Sequence, residues 1–220
     1  MLKYDFIIYL ILYVTLQTAH ASDLPIYIAN VVSDTEYSYS KTLADIHNGE
    51  KWGWHSGRIG KENASNTLEK TKVASYNISN VTDLNLKTAW IEGDDGYGIG
   101  TSIIFKIQSE GTNSPDIFNG IIEVFNGYCK TETIWKENSR VKEFKVYLNE
   151  KPICKIVLHD TWQLQKIDLS KLILSYSNTN PKYVLKNGDE LKFEIESVYP
   201  GDKYKDTAIS EFVTPSYGGG

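Results

Sequence analysis

Between Thr88 and Phe105 the chain reads TAWIEGDDGYGIGTSIIF: a Trp, three acids (Glu92, Asp94 and Asp95) and four glycines that run straight into an apolar segment. Several chemistries are open to such a set. Glu92 paired with Asp94 or Asp95 has the composition of a glycosidase carboxylate pair, in which one group protonates the leaving oxygen and the other attacks or activates water. The same oxygens could ligate a hard cation, or simply stand solvated. The glycines suggest a phosphate cradle, yet such loops follow a strand and open a helix whose first N–H groups hold the anion. Here they precede a strand, no P-loop lysine follows, and the acids would repel phosphate.

Other catalytic patterns are weaker still. His47, His55 and His159 are scattered without a metal-ligand spacing, and His55 in WGWHSG reads as a solvated loop histidine. There is no G-x-S-x-G elbow, and neither Cys129 nor Cys154 has catalytic flanks. The chain is therefore expected not to be an enzyme. Binding fits better. Sugars present hydroxyls and apolar C–H faces, so a lectin site joins aromatic platforms to carboxylate, amide and Arg partners. Trp90, Tyr97, Tyr128 and Trp135 supply aromatics, and Glu92, Asp94, Asn138 and Arg140 supply polar groups. Trp135, in TETIWKENSR, is the leading platform. Trp90 and Tyr128 can equally pack in a core, and Arg140 can instead brace its loop through an ion pair, for which Glu92 is a candidate.

A β-protein must position these residues. SIIFKI, GIIEVFNGY, VKEFKVYL, ICKIVLH, QKIDL and ELKFEIESV are short runs rich in β-branched and aromatic residues. Turn signals at Asn149–Pro152, Asn187–Gly188 and Pro200–Asp202 separate them, and Asn187–Gly188 reads as a hairpin turn. No helical pattern is interleaved, so the expected fold is all-β: an antiparallel β-sandwich of jelly-roll type over residues 70–214. Period-2 alternation predicts that Ile104, Ile122, Val124, Phe144, Val146, Ile156, Leu158, Phe193 and Ile195 face inward. Residues 22–69 are polar and irregular and read as an N-terminal extension, and residues 215–220 as a disordered tail.

Residues 1–21 read as an export signal, with Lys3, an apolar run from Phe6 to Leu16, and Ala19-His20-Ala21 at a small-x-small cleavage site. The run is shorter than the ~20 residues a membrane span needs, so the mature chain is expected to be secreted, periplasmic or on the cell surface, with no span. Its formal charge of −5 and lack of a basic cluster argue against nucleic acid and anionic membranes as partners. In an oxidising compartment Cys129 and Cys154 can pair, and a disulfide between them would tie the Tyr128 strand to the hairpin after Asn149.

Two motifs carry a resemblance. The segment from Asp83 to Trp90, DLNLKTAW, resembles the D-G-N-x-x-T-x-W signature of discoidin domains, the coagulation-factor type C and galactose-binding-like modules. Beyond it, WIEGDDGYGIG, Ile122–Tyr128, Asn138–Lys142 and Asp206–Glu211 occur in an order similar to the discoidin-type domain attached to streptococcal NAD glycohydrolases. The resemblance covers residues 70–214 and no segment resembles the glycohydrolase catalytic domain, so it implies glycan binding without catalysis. The Glu92–Tyr97 and Trp135–Arg140 loops would supply the contacts, at one end of the sandwich. Because discoidin domains host many partners, the alternative is a protein-binding or adhesion subunit of a surface or secretion complex, with a surface or secreted protein as partner. The resemblance also implies a structural Ca²⁺ held by Asp83, Thr88 and Glu211, with carbonyls near Asn85 and Ala208. Leu84 stands where the family has Gly, so the competing reading has Asp83 capping a turn and Glu211 paired with a Lys.

Overall fold

The computed structural model describes residues 24–32, 56–57, 59–107, 118, 120–176, 185 and 187–215. The expected leader, much of the extension with His47 and His55, and the tail after residue 215 lie outside these residues.

Each alternating run forms a strand. The short strands β1 (Ile26–Ile28), β2 (Asn30–Val31), β3 (Ser56–Gly57), β4 (Lys61–Ala64) and β5 (Trp90–Ile91) come first. A 3-10 turn, Ile78–Thr82, lies between β4 and β5. The longer elements follow: β6 (Ser102–Lys106), β7 (Ile121–Asn126), helix α1 (Glu132–Glu137), β8 (Ser139–Leu148), β9 (Lys151–Val157), β10 (Leu164–Asp168), helix α2 (Ser170–Tyr176), β11 (Glu190–Tyr199) and β12 (Thr207–Pro215). Among the described residues no helix is long and apolar enough to cross a membrane, which says nothing of strands.

The strands build two layers. One runs β1-β9-β8-β11-β6-β4, and the other β2-β10-β7-β12, with β3 and β5 also hydrogen-bonded to β12. The layers are continuous at one corner, where Thr207 and Ala208 of β12 pair in parallel with Ser139 and Arg140 of β8. The β1–β9 pair is also parallel, and the other strand pairs are antiparallel. The faces meet through aromatic rings: Phe212 of β12 lies 5.3 Å from Phe105, 6.0 Å from Phe144 and 4.8 Å from Phe193, all fully buried. A buried Phe of this kind contributes about 1.5–3 kcal/mol of transfer free energy. The all-β sandwich read from the alternation is therefore the fold.

Every residue expected to face inward is buried except Ile104. In β6 it is Ile103 and Phe105 that enter the core, while Ile104 is half-buried beside Asn63 of β4. The SIIF run is apolar at consecutive positions, so its phase is set by the register Phe193–Ile103 rather than by its own pattern. The extension is also less irregular than expected. Its described pieces β1, β2, β3 and β4 pair with β9, β10, β12 and β6, so strands before residue 70 belong to the sandwich. The Asn187–Gly188 turn leads into β11, where Gly188 N–H donates to the Ile107 carbonyl; it stitches the end of β6 to the start of β11.

The expected disulfide is not formed. Neither Cys129 nor Cys154 is bridged, and both are buried. They sit in separate apolar clusters, Cys154 between the layers and Cys129 beside Phe125 and Leu164.

Candidate functional site

The loops before β6, before β8, before β10 and before β12 all emerge at the end of the sandwich where β12 begins. Both sequence-nominated loops are therefore at one pole, and Thr207 and its neighbours join them. Glu92 Oε1 accepts from the Thr207 N–H at 3.0 Å, the Thr207 hydroxyl donates to the Tyr97 carbonyl at 2.9 Å, and Ser139 N–H donates to the Asp206 carbonyl at 3.1 Å.

Two of the three acids of the glycine loop, Glu92 and Asp94, are hydrogen-bonded within the protein. Glu92 is fully buried, and its other oxygen accepts from the Asp94 N–H at 2.8 Å. Burial, reinforced by nearby Asp206 and Asp94, raises its carboxyl above the ordinary range. Asp94 in turn accepts from the Thr101 hydroxyl and the Asn66 amide. Gly98 lies directly on Glu92: a Cβ there would come within 2.4 Å of Cδ, and φ is +63°. The glycines thus let the loop close over a buried carboxylate that holds it down. Glu92 is thus a buried brace of this loop rather than an exposed group.

The second loop corrects the expectations most. Trp135 is 8% exposed. Thr131 caps α1 through its hydroxyl, which accepts the Ile134 N–H at 3.1 Å, and this sets the Trp135 indole to donate to the Asn126 carbonyl at 2.8 Å. The other face of the ring is covered by the Arg140 guanidinium, 4.5 Å from the centroid. Gly127, at φ +97°, permits this packing, since a Cβ would lie 2.6 Å from both Trp135 and Arg140. Trp135 is thus packed inside the protein rather than presented as an exposed platform. Asn138 is buried and its amide donates to the Ile134 carbonyl at 2.8 Å, closing the helix. Arg140 is buried as well, and its partner is Asp160, not Glu92: Nε and Nη2 donate to Oδ1 at 3.0 and 2.9 Å, and Nη2 to Oδ2 at 3.0 Å.

Asp94, Tyr97 and Tyr128 keep solvent-facing surface. Tyr97 has the Lys205 ammonium 5.9 Å from its ring. Tyr128 packs with Tyr76 on Ala89, Ile91 and Ala208, and its hydroxyl donates to the Lys87 carbonyl at 3.2 Å. Trp90 is fully buried, its indole donating to Asn66 and Thr67. Three residues at this pole escaped the sequence reading: Asp160, half-buried Trp162, and Tyr204, which is 43% exposed. Their loops lack a motif, so only the folded arrangement gathers them.

The D-x-N-x-x-T segment forms a second polar centre. Leu84 takes the left-handed conformation, φ +58°, that a Gly would adopt without strain. The Thr88 hydroxyl lies 2.7 Å from both Asp83 Oδ2 and the Asn85 carbonyl. Asn85 N–H donates to Asp83 Oδ1 at 3.0 Å and to Glu211 Oε1 at 2.6 Å. Glu211 Oε2 is buried without a hydrogen-bond partner, and burial together with the Asp83 carboxylate raises its carboxyl well above the usual range. No described ion pair joins Glu211 to a lysine. Two carboxylates, a hydroxyl and a carbonyl around an orphaned buried oxygen suit a hard cation. Among the described residues no cluster of three or more His, Cys, Asp or Glu could hold a metal, so an ion here would depend on the hydroxyl and backbone oxygens as well.

Residues 54–214 match the family described as NAD glycohydrolase translocation F5/8 type C domain. No curated protein matches the chain. Among solved structures, the CBM32-1 and CBM32-2 domains of Clostridium perfringens ZmpB superpose with a TM-score of 0.50 at 12% identity, over 90% of this chain and 43% of that one. The same domains in complex with GalNAc superpose with a TM-score of 0.50 at 11% identity, over 90% and 42%. This chain thus spans less than half the length of those structures, and at such identity the likeness is one of fold.

Proposed function

The chain belongs to the NAD glycohydrolase translocation F5/8 type C domain family, and from that premise we propose that it is an exported, non-catalytic module that binds glycans at the pole where β12 begins. The observation that carries this reading is the gathering of four connecting loops around Asp206–Ala208, with Tyr97, Tyr128, Trp162 and Tyr204 retaining surface among polar groups. Such a mixture suits the alternating C–H faces and hydroxyls of a sugar. The internal engagement of Glu92 and Asp94 supports binding over hydrolysis. The GalNAc complex of the C. perfringens domains lends the same direction. The leader pattern at residues 1–21 supports export.

A structural Ca²⁺ belongs to the proposal. Asp83, Thr88, Glu211 and the Asn85 carbonyl would hold it, and its charge would offset the burial of the Glu211 carboxylate beside Asp83. A glycan array probed with the full chain in calcium-containing buffer tests the function. Binding to a defined set of sugars is expected; an array with no signal, beside a protein partner captured at the same surface, would replace this reading with the adhesion-subunit one.

A further inference from the structure

Arg140 donates from all three guanidinium nitrogens to protein oxygens. Nε and Nη2 hold Asp160, and Nη1 reaches the carbonyls of Asn138 at 2.9 Å, Pro200 at 3.3 Å and Lys136 at 3.5 Å. Trp135 covers its face. It therefore ties three of the polar loops together and keeps no nitrogen for a ligand. Its side chain is 7% exposed, whereas that of Asp160 is 41% exposed. We propose, on the glycan-binding reading above, that Asp160 is a sugar-contacting residue of this pole, that Arg140 is its positioning residue, and that the ligand is a neutral sugar donating a hydroxyl to the Asp160 carboxylate.

A carboxylate has about four acceptor directions. Arg140 fills two on Oδ1 and one on Oδ2, which leaves Oδ2 able to accept from solvent or a sugar. The loop that carries it is fixed in advance. His159 N–H donates to Gln165 Oε1 at 2.7 Å, the Gln165 amide returns a bond to the His159 carbonyl at 3.0 Å, and Gln165 is fully buried. An acceptor held this way loses little freedom when a hydroxyl arrives. Trp162, two residues on and half-buried, supplies apolar surface on the same loop. An ionised carboxylate accepts and cannot donate, so it selects hydroxyl donors and repels sugars that carry a carboxylate or sulfate.

The test measures calorimetric affinity of the full chain for GalNAc and its monodeoxy analogues, alongside an array of neutral, sialylated and sulfated glycans. Wild type should favour neutral glycans and lose about tenfold in affinity for one monodeoxy analogue. Asp160→Asn should lose about tenfold for the parent sugar and no longer discriminate against that analogue, the signature of a direct contact in a double-mutant cycle. Arg140→Lys keeps the charge but lacks the fork, and should weaken the same sugar while melting lower. Wild-type affinity unchanged within about threefold across the whole deoxy series overturns the proposal without needing any variant, as does full discrimination by folded Asp160→Asn. A wild-type array with no glycan signal removes the glycan reading and this proposal with it, an outcome distinct from the two above.

Discussion

The backbone N–H of Asn85 donates to Glu211 Oε1 at 2.6 Å, joining the loop before β5 to a residue 126 positions further along the chain. Glu211 is fully buried, and its second oxygen has no hydrogen-bond partner. A cation there would clip two distant segments together. Calcium at about 100 times its Kd should stabilise the fold by about 2.7 kcal/mol, a rise of several degrees in Tm for a chain of this size. The comparison is calcium-loaded against EDTA-treated protein, and Glu211→Gln should abolish the difference. Identical melting curves would remove the calcium proposal.

Glu92 gives a pH dependence of defined sign. Its folded carboxyl titrates above the ordinary 4.5 because of burial, with Asp206 and Asp94 adding to the rise. A group raised on folding contributes stability that is complete below the unfolded pKa and is lost as pH climbs through the folded one. Glu92→Gln lacks that titration. Urea denaturation of both proteins at pH 4.5 and pH 7 should show wild type losing ground to the variant at the higher pH. Parallel changes would show that Glu92 does not titrate in this range.

The β8–β9 hairpin turns through Asn149 (φ +48°) and Glu150 (φ +66°), the two left-handed residues of a type I′ turn. Asn149 is needed there: its amide donates to Asp189 at 2.9 Å and its oxygen accepts the Glu190 N–H at 2.9 Å. Glu150 meets the same backbone demand without glycine's freedom. Glu150→Gly should stabilise the fold by about 1 kcal/mol, raising the denaturation midpoint at unchanged m; a lowered midpoint would contradict the turn assignment.

The two thiols should be inert in the native state. Burial pushes the Cys154 thiol up to about 12 and Cys129 higher still, so neither presents the thiolate that reacts. A chromogenic disulfide reagent should titrate no thiol in the folded protein and both after denaturation, and dithiothreitol should leave Tm unchanged. Mass spectrometry finding a linked Cys129–Cys154 peptide would overturn the unbridged assignment.

Much of the sandwich could be read from the chain because stretches such as FKVYL alternate, and a half-buried strand has no other way to satisfy both faces. Where alternation lapses, as in SIIF, the phase was lost, and Ile104 turned outward. The edge strand KENA gave no signal because its residues are exposed or half-buried and carry little apolar pattern. The polar cluster of Asp83, Asn85 and Thr88 was legible since the three are close in sequence and bond to one another. The roles of Trp135 and Arg140 were not. They depend on Asp160 and Pro200, which lie 20 and 60 residues beyond Arg140 and carry no motif linking them to it.

Strand β12 pairs with β3, β5, β7 and β8, and its Phe212 meets phenylalanines of β6, β8 and β11. A ribosome makes residues 207–215 after everything they hold together. Until then β7 lacks one of its neighbours, the aromatic core lacks its central ring, and Glu92 lacks the Thr207 amide. Such long-range closure folds slowly and leaves strand edges open meanwhile. The consequence is temporal: the sandwich stays unlocked until residues 207–215 have been made and have docked on the strands that precede them.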